Sequence, residues 1–421
     1  MRVQGAIEEG EKHMQIEYMQ EEKNMTLSFD GTTKSSEGKA QDFPYWDDAS
    51  PETERVKQRV LAQASPEAIQ FWNATRKAPD KIDASTLTPD EWQARRKDSI
   101  GSSAASHVTG DCPFENCTPL DLYNEKVGNK PLFTLSPEEE RSKQDLFDFG
   151  HVMETYLHGW VRRRWPNSKL YIDTNIYSAK DRPYLTANLD GMLQLPDGSW
   201  VHIEFKTATK EAQKKYDNGN IPMYYKRQLI QCQHILNVWV SYIVVFFDRD
   251  NVISRRYERD LDVEMEQVQM MDDFWNGHVL ARIPPDVNIG PAANVIKAIR
   301  NYGGGANTAA PEVVLPPNML DTVKEISDID RQLAALREQE KILKEQRQKR
   351  IVPIITAMGS ATSAKVDGTD AHFKISYKPS KPKKTVDLEK LENEYNSVYR
   401  DVVSVAAEGA RPFKVKEVTT A

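Results

Sequence analysis

The stretch NLDGMLQLPDGSWVHIEFKT, residues 188–207, decides the fold. It reads as two hydrophobic strands joined by the turn Pro196-Asp197-Gly198-Ser199. Asp190 stands at the end of one strand and Glu204, fourteen residues later, on the next. Lys206, two residues beyond Glu204, projects from the same strand face. Two such carboxylates can share a divalent ion, and the lysine then meets the ion at one phosphate. That geometry supplies a metal-activated water, a Lewis acid on a non-bridging oxygen and a cation near the attacking oxygen, which is what phosphodiester hydrolysis needs. The same residues also read as a solvated edge-strand ion pair worth under about 1 kcal/mol, and the triplet alone leaves both readings open.

Its neighbours shift the balance. Upstream, Leu146, Phe149, Met153, Tyr156, Leu157, Trp160 and Val161 have helical spacing, with Glu154 among them. An acid beside an apolar stripe is costly unless it is paired or binds a cation. Downstream, Tyr225, Gln228, Cys232, Ile235 and Trp239 again have helical spacing, and Val240 to Phe247 is a buried-strand run. The order is helix, strand, strand, helix, strand.

Four blocks then match a known family in sequence order. They are Trp92, Arg96, Ile100-Gly101-Ser102-Ser103 and Gly110; Phe149-Gly150-His151-Val152-Met153-Glu154; Asn188-Leu189-Asp190-Gly191 with Ile203-Glu204-Phe205-Lys206-Thr207; and Pro222, Tyr225, Gln228 and Gln231. Together they resemble the YqaJ-type viral recombinase nucleases, the group that includes the phage lambda exonuclease, within the PD-(D/E)XK superfamily. The chain departs from the pattern at Leu189, where the superfamily name has proline, and at Gly-Ser-Ser in place of Gly-Gly-Ser. Neither departure removes a candidate metal ligand.

The resemblance implies an α/β (α+β) fold, a restriction-endonuclease-like core with a mixed central sheet flanked by helices. It implies that Asp190 and Glu204 bind Mg²⁺, with Mn²⁺ as an alternative, helped by the Phe205 carbonyl and by Glu154. Lys206 would position or activate the water and Gln228 would orient it, although a polar helix residue such as Gln228 also reads as a backbone partner. Arg96 and Ser103 are similar to a terminal-phosphate pocket, where a guanidinium can grip a phosphate with two bonds. The implied activity is resection of linear duplex DNA from its 5′ end, leaving a 3′ single strand. The implied partners are double-stranded DNA ends and a single-strand annealing protein, with a ring-like trimer as the family's assembly. A non-catalytic DNA-binding recombination scaffold is the other class. A Cas4-like or restriction-type endonuclease of the same superfamily is a third reading; the missing four-cysteine cluster counts against the first, and the block around Arg96 and Ser103 against the second.

His151, His158 and His202 lack zinc-site spacing, and they are left out of the predicted site. Three cysteines, Cys112, Cys117 and Cys232, give neither a disulfide framework nor a four-cysteine metal set, so they read as reduced thiols. A net charge of -7 does not advertise nucleic-acid binding. Arg95-Arg96-Lys97, Arg162-Arg163-Arg164 and Lys210 to Lys215 nevertheless flank the site and can concentrate positive potential there. No run of eighteen apolar residues occurs and the start lacks the apolar stretch of a secretory signal, so the expectation is no membrane span and a cytoplasmic protein, in a bacterial host if phage-encoded.

The expected organisation is a disordered tail over 1–45, a helical lead-in over 46–91, the nuclease domain over 92–300, a linker over 301–318 and an extension over 319–421. Within the extension, Ile326, Ile329, Leu333, Leu336 and Leu343 form a short heptad pattern, Phe373 to Tyr377 alternates as a strand, and a helix runs from Val386 to about Val403.

Overall fold

Early helices of this chain start on a hydroxyl residue followed by proline, because the hydroxyl takes an otherwise unpaired N–H and proline has none to leave unpaired. After α1 (Pro51–Gln63), this holds for α2 (Pro66–Thr75) behind Ser65, α3 (Pro89–Lys97) behind Thr88, and α5 (Pro119–Val127) behind Thr118, with the one-turn α4 (Ala105–Val108) between the last two. In this computed structural model the described residues are 48–132, 137–172, 174–287, 289–303, 309–368, 372–380 and 387–403. The expected 1–45 tail lies outside them. The chain divides into two units between Gly305 and Ala306.

In the first unit the lead-in is part of the core. Val56, Val60, Ala68 and Trp72 pack with Leu157 and Val161 of the long helix α6 (Pro137–Arg164). The apolar stripe predicted on α6 is buried only toward its C-terminal end: Leu157 and Val161 are fully buried, whereas Leu146 is 66% and Phe149 47% exposed.

Two mixed sheets follow. One has four strands in the order β1 (Asp80–Asp83), β4 (Asn175–Ala179), β5 (Arg182–Asn188), β2 (Ile100–Gly101), with only β2 and β5 parallel. The other has five, in the order β3 (Lys169–Tyr171), β6 (Gly191–Gln194), β7 (Trp200–Thr207), β8 (Val240–Asp248), β9 (Asn251–Glu258). Only β7 and β8 run parallel, as their connection requires a crossover helix, α7 (Met223–Leu236). The predicted order of helix, hairpin, helix and strand is therefore observed, and the fold is the mixed α/β architecture that the resemblance implied. The turn closes at Leu195 N–H to Ser199 carbonyl, 2.8 Å, with Gly198 at φ +93°, a conformation that favours glycine.

Trp239 does not lie on the helix predicted for it. Asn237 ends α7 in the left-handed conformation at φ 54°, and its Oδ1 accepts from Trp72 Nε1 at 2.9 Å and Arg259 Nη1 at 2.8 Å. The side-chain carbonyl supports the break, so Trp239 lies in the bend that leads into β8 instead. The first unit ends with α8 (Leu261–Asp272), which widens into π-helical turns over Asp273–Leu280, and with α9 (Ala292–Tyr302).

The second unit contains α10 (Leu320–Met358), a 39-residue helix, in which Ile329, Leu333, Leu336 and Leu343 of the heptad pattern are exposed. Its strand is one half of a hairpin, β10 (Ser363–Asp367) with β11 (His372–Ser376). The predicted terminal helix is two, α11 (Leu388–Glu394) and α12 (Asn396–Val402), separated at Tyr395. No helix among the described residues is long and apolar enough to cross a membrane.

Candidate active site

Leu189 and Asp190 are the two residues between β5 and β6, where the chain leaves the four-stranded sheet for the five-stranded one. Asp190 Oδ2 accepts the Phe205 backbone N–H at 2.6 Å, which draws the carboxylate against β7. On β7, Glu204 Oε1 accepts from Lys206 Nζ and from Gln228 Nε2, the latter at 2.6 Å. Gln228 thus bonds the carboxylate rather than helix backbone. Tyr225, one turn earlier on α7, lies beneath the lysine, whose Nζ is 5.5 Å from the ring centroid. A joint, a strand and a helix bring five of the predicted site residues together: Asp190, Glu204, Phe205, Lys206 and Gln228.

Charge at this cluster is unbalanced. Burial, and next the Glu204 carboxylate, push Asp190 up to about 7. Burial acts to lower Lys206, but the Glu204 and Asp190 carboxylates outweigh it and raise the ammonium above its ordinary value. Burial pushes His202 down to about 4, leaving a neutral imidazole at neutral pH.

The donor set fits a hard divalent cation. Glu204 is 2% exposed, and its Oε2 is buried without a hydrogen-bond partner. An orphaned carboxylate oxygen in the interior is costly, and two carboxylates facing one ammonium leave negative charge that a cation would neutralise. Oxygen donors suit Mg²⁺ or Mn²⁺. Phe205 is buried through its ring and gives its amide to Asp190, while Glu154 is half-buried on α6.

Two histidines set aside in the sequence lie in this site. His202 Nε2, also buried without a hydrogen-bond partner, is 3.7 Å from Glu204 Oε2. Its signal was its place two residues before Glu204, on the same strand face. His158 hydrogen-bonds the Asp190 backbone and packs its ring edge-on against Phe205 at 5.1 Å, and burial lowers its pKa. Its signal was the i, i+4 spacing from Glu154, which places both on one side of α6.

Arg96 and Ser103 are not drawn to the carboxylates. Arg96 is 5.5 Å from the Trp92 ring centroid and 3.9 Å from Glu125, and Ser103 is exposed. Their segment is nevertheless tied to the site by Gln231, whose Nε2 donates to the carbonyls of Ile100 at 2.8 Å and Thr186 at 2.9 Å. One amide on α7 thereby spans the short β2–β5 pairing one turn from Gln228.

The model of the YqaJ-like viral recombinase domain matches residues 91–241. The uncharacterized protein YqaJ of Bacillus subtilis (strain 168) is 24% identical over 340 residues, covering 80% of this chain and 96% of that protein. Among solved structures, the chain is similar to the alkaline exonuclease LHK-Exo from Laribacter hongkongensis, with 16% identity, a TM-score of 0.37, and coverage of 46% of this chain and 94% of that one. The same enzyme in complex with dAMP gives 16% identity and a TM-score of 0.33, covering 50% of this chain and 96% of that one.

Proposed function

We propose, from the premise that residues 91–241 belong to the YqaJ-like viral recombinase domain family, that this chain is a metal-dependent deoxyribonuclease that resects linear duplex DNA from the 5′ end. The observation that carries the reading is the gathering of Asp190, Glu204 and Lys206 on and beside β7, where Glu204 Oε1 accepts from Lys206 while its buried Oε2 has no hydrogen-bond partner. Asp190 and Glu204 would hold Mg²⁺, or Mn²⁺ in its place, with Glu154 and the Phe205 carbonyl completing the shell. When bound, such an ion supplies a Lewis acid and an activated water.

The chain's own groups do the rest. Lys206, kept charged by its carboxylate neighbours, compensates negative charge on the phosphate and orients the nucleophile, acting as a cation rather than a base. Gln228 fixes Glu204 and, through its remaining amide valence, the water. Arg96 and Ser103 receive a terminal 5′ phosphate. The 3′ strand that remains would pass to a single-strand annealing protein, and a ring-like trimer is the assembly proposed for the chain.

The test uses linear, nicked and covalently closed duplexes with Mg²⁺. Linear DNA should be degraded and closed circles should persist; a 5′-phosphate should speed degradation over a 5′-hydroxyl at fixed salt. Arg96→Ala should remove about a tenfold to hundredfold preference, the worth of one charge-assisted contact. Cleavage of closed circles at the linear rate would sink the exonuclease reading. An Arg96→Ala enzyme that still discriminates would sink the end pocket alone.

The raised Asp190 carboxyl gives a second expectation. The ion must displace its proton, so Mg²⁺ affinity measured by calorimetry should rise by about tenfold per pH unit up to about 7 and then level off. In the metal-free protein the sign is opposite for stability: as pH rises from the ordinary carboxylate range to about 7, the unfolded chain has lost a proton that the folded one keeps, and this group's contribution falls. A flat affinity from pH 5.5 to 8, roughly the window set by that shift, would refute the assignment.

A further inference from the structure

A second cluster of ligand-type side chains lies outside this site, on α4 and the segment that joins it to α5. His107, Cys112 and Cys117 bring one nitrogen and two sulfurs to within 4.8 Å of one another. We propose that these three side chains form a binding site for a thiophilic divalent cation, Zn²⁺, that fastens this segment against the start of α7.

The geometry needs little change. Ligands on a tetrahedral zinc sit about 3.5–3.8 Å apart, given Zn–S near 2.3 Å and Zn–N near 2.0–2.1 Å, so closure by about an ångström suffices. The two thiols already share a hydrogen bond, and His107 hydrogen-bonds Cys112. One imidazole and two sulfurs make a softer donor set than the oxygens around Asp190, and they select zinc over magnesium. Three protein ligands leave one tetrahedral position for water.

The segment is also held in shape without the ion. Gly110, at φ +74°, lies so close to Ile289 and Gly290 that an added Cβ would fall 2.5 Å from the isoleucine side chain. Asn116, between the cysteines, takes the left-handed conformation at φ 58°. Cys112 N–H donates to the Ser106 carbonyl at 3.1 Å, and Asn294 Nδ2 donates to the Phe114 carbonyl at 2.8 Å. Such preorganisation lowers the cost of assembling the ligands.

Its position gives the site a consequence. Arg227 Nε donates to Asp111 Oδ2 at 2.7 Å, and the Tyr224 and Phe114 rings meet edge to face at 5.4 Å. Both partners lie in the first turns of α7, next to Gln228. An ion at the cysteines therefore braces the first turns of the helix whose Gln228 holds Glu204.

Co²⁺ added to the reduced, full-length chain provides the probe. The wild type should bind about one ion with the thiolate charge-transfer and tetrahedral d–d absorption of a sulfur-ligated site. Cys112→Ser and Cys117→Ser should each lose that absorption and weaken binding on the order of a hundredfold or more. Asp190→Asn should keep it, separating this site from the carboxylate one. Should a cysteine variant fail to fold, release of bound metal from the wild type by a thiol-directed mercurial reads the same ligands. Three outcomes overturn the proposal: no thiolate–Co²⁺ absorption in the reduced wild type, absorption that survives both cysteine substitutions, or a Cys112–Cys117 disulfide as the resting form of a chain that takes up no metal.

Discussion

Asp190→Ala and Glu204→Ala are each expected to reduce cleavage of linear duplex by at least about two to three decades, because metal and electrostatic stabilisation of the transition state supply several kcal/mol. The two losses have different structural side effects. Without Asp190, the Phe205 amide loses its acceptor; without Glu204, Lys206 and Gln228 lose theirs. Asp190→Asn and Glu204→Gln keep an oxygen acceptor in place, so they should retain the fold while losing the activity. Single-turnover rates of folded variants, checked by circular dichroism, are the measurement. Near-wild-type turnover in either isosteric variant would show that the carboxylates do not hold the catalytic ion.

The largest expected effect on stability lies at the other end of α7. Glu264 is 1% exposed and accepts from Arg259 Nε at 2.6 Å, Arg259 Nη2 at 2.8 Å and His234 Nδ1 at 2.9 Å. Although burial would raise it, Arg259 holds the Glu264 carboxyl down at about 2. Glu264→Ala would leave the buried Arg259 without its counter-charge and should destabilise the first unit by about 3–5 kcal/mol, the typical cost of breaking a buried pair. For a unit of this size that lowers the thermal midpoint by roughly 10 °C. Fluorescence should follow it, since the Trp72 and Trp239 rings pack at 5.2 Å beside the network. An unchanged midpoint would mean that the ion pair contributes nothing net. The depressed carboxyl also sets a direction for acid: its contribution is full above the ordinary glutamate range and is lost as pH falls toward 2.

The part of the site written on one hairpin was legible in the sequence. Turn chemistry at 196–199 and alternation around Glu204 fix which face Lys206 shares, and both are local properties. Gln228 was legible only through the spacing of a helix, which says that it faces inward but not which group it meets. What local patterns cannot carry is the crossing of distant segments. That His158 would hold the Asp190 backbone depends on how α6 packs against the sheets. The second sheet was missed for a similar reason, since β1 and β2 are short and find partners 85 to 98 residues away. The exposed first half of α6 shows the reverse failure: a regular apolar stripe predicts a helix, yet it does not show which turns will be covered.

The place of Asp190 between β5 and β6 makes the carboxylate pair a gauge of the surrounding architecture. One carboxylate is carried by the junction of two sheets and the other by the interior of one of them, so any flexing of the first sheet against the second changes the gap between them. A displacement of about 1 Å is enough to cost roughly a hundredfold in rate. If the pair holds the ion as proposed, distortion of the four-stranded sheet would reach the reaction through β5 and the Leu189-Asp190 joint, like play in a lever.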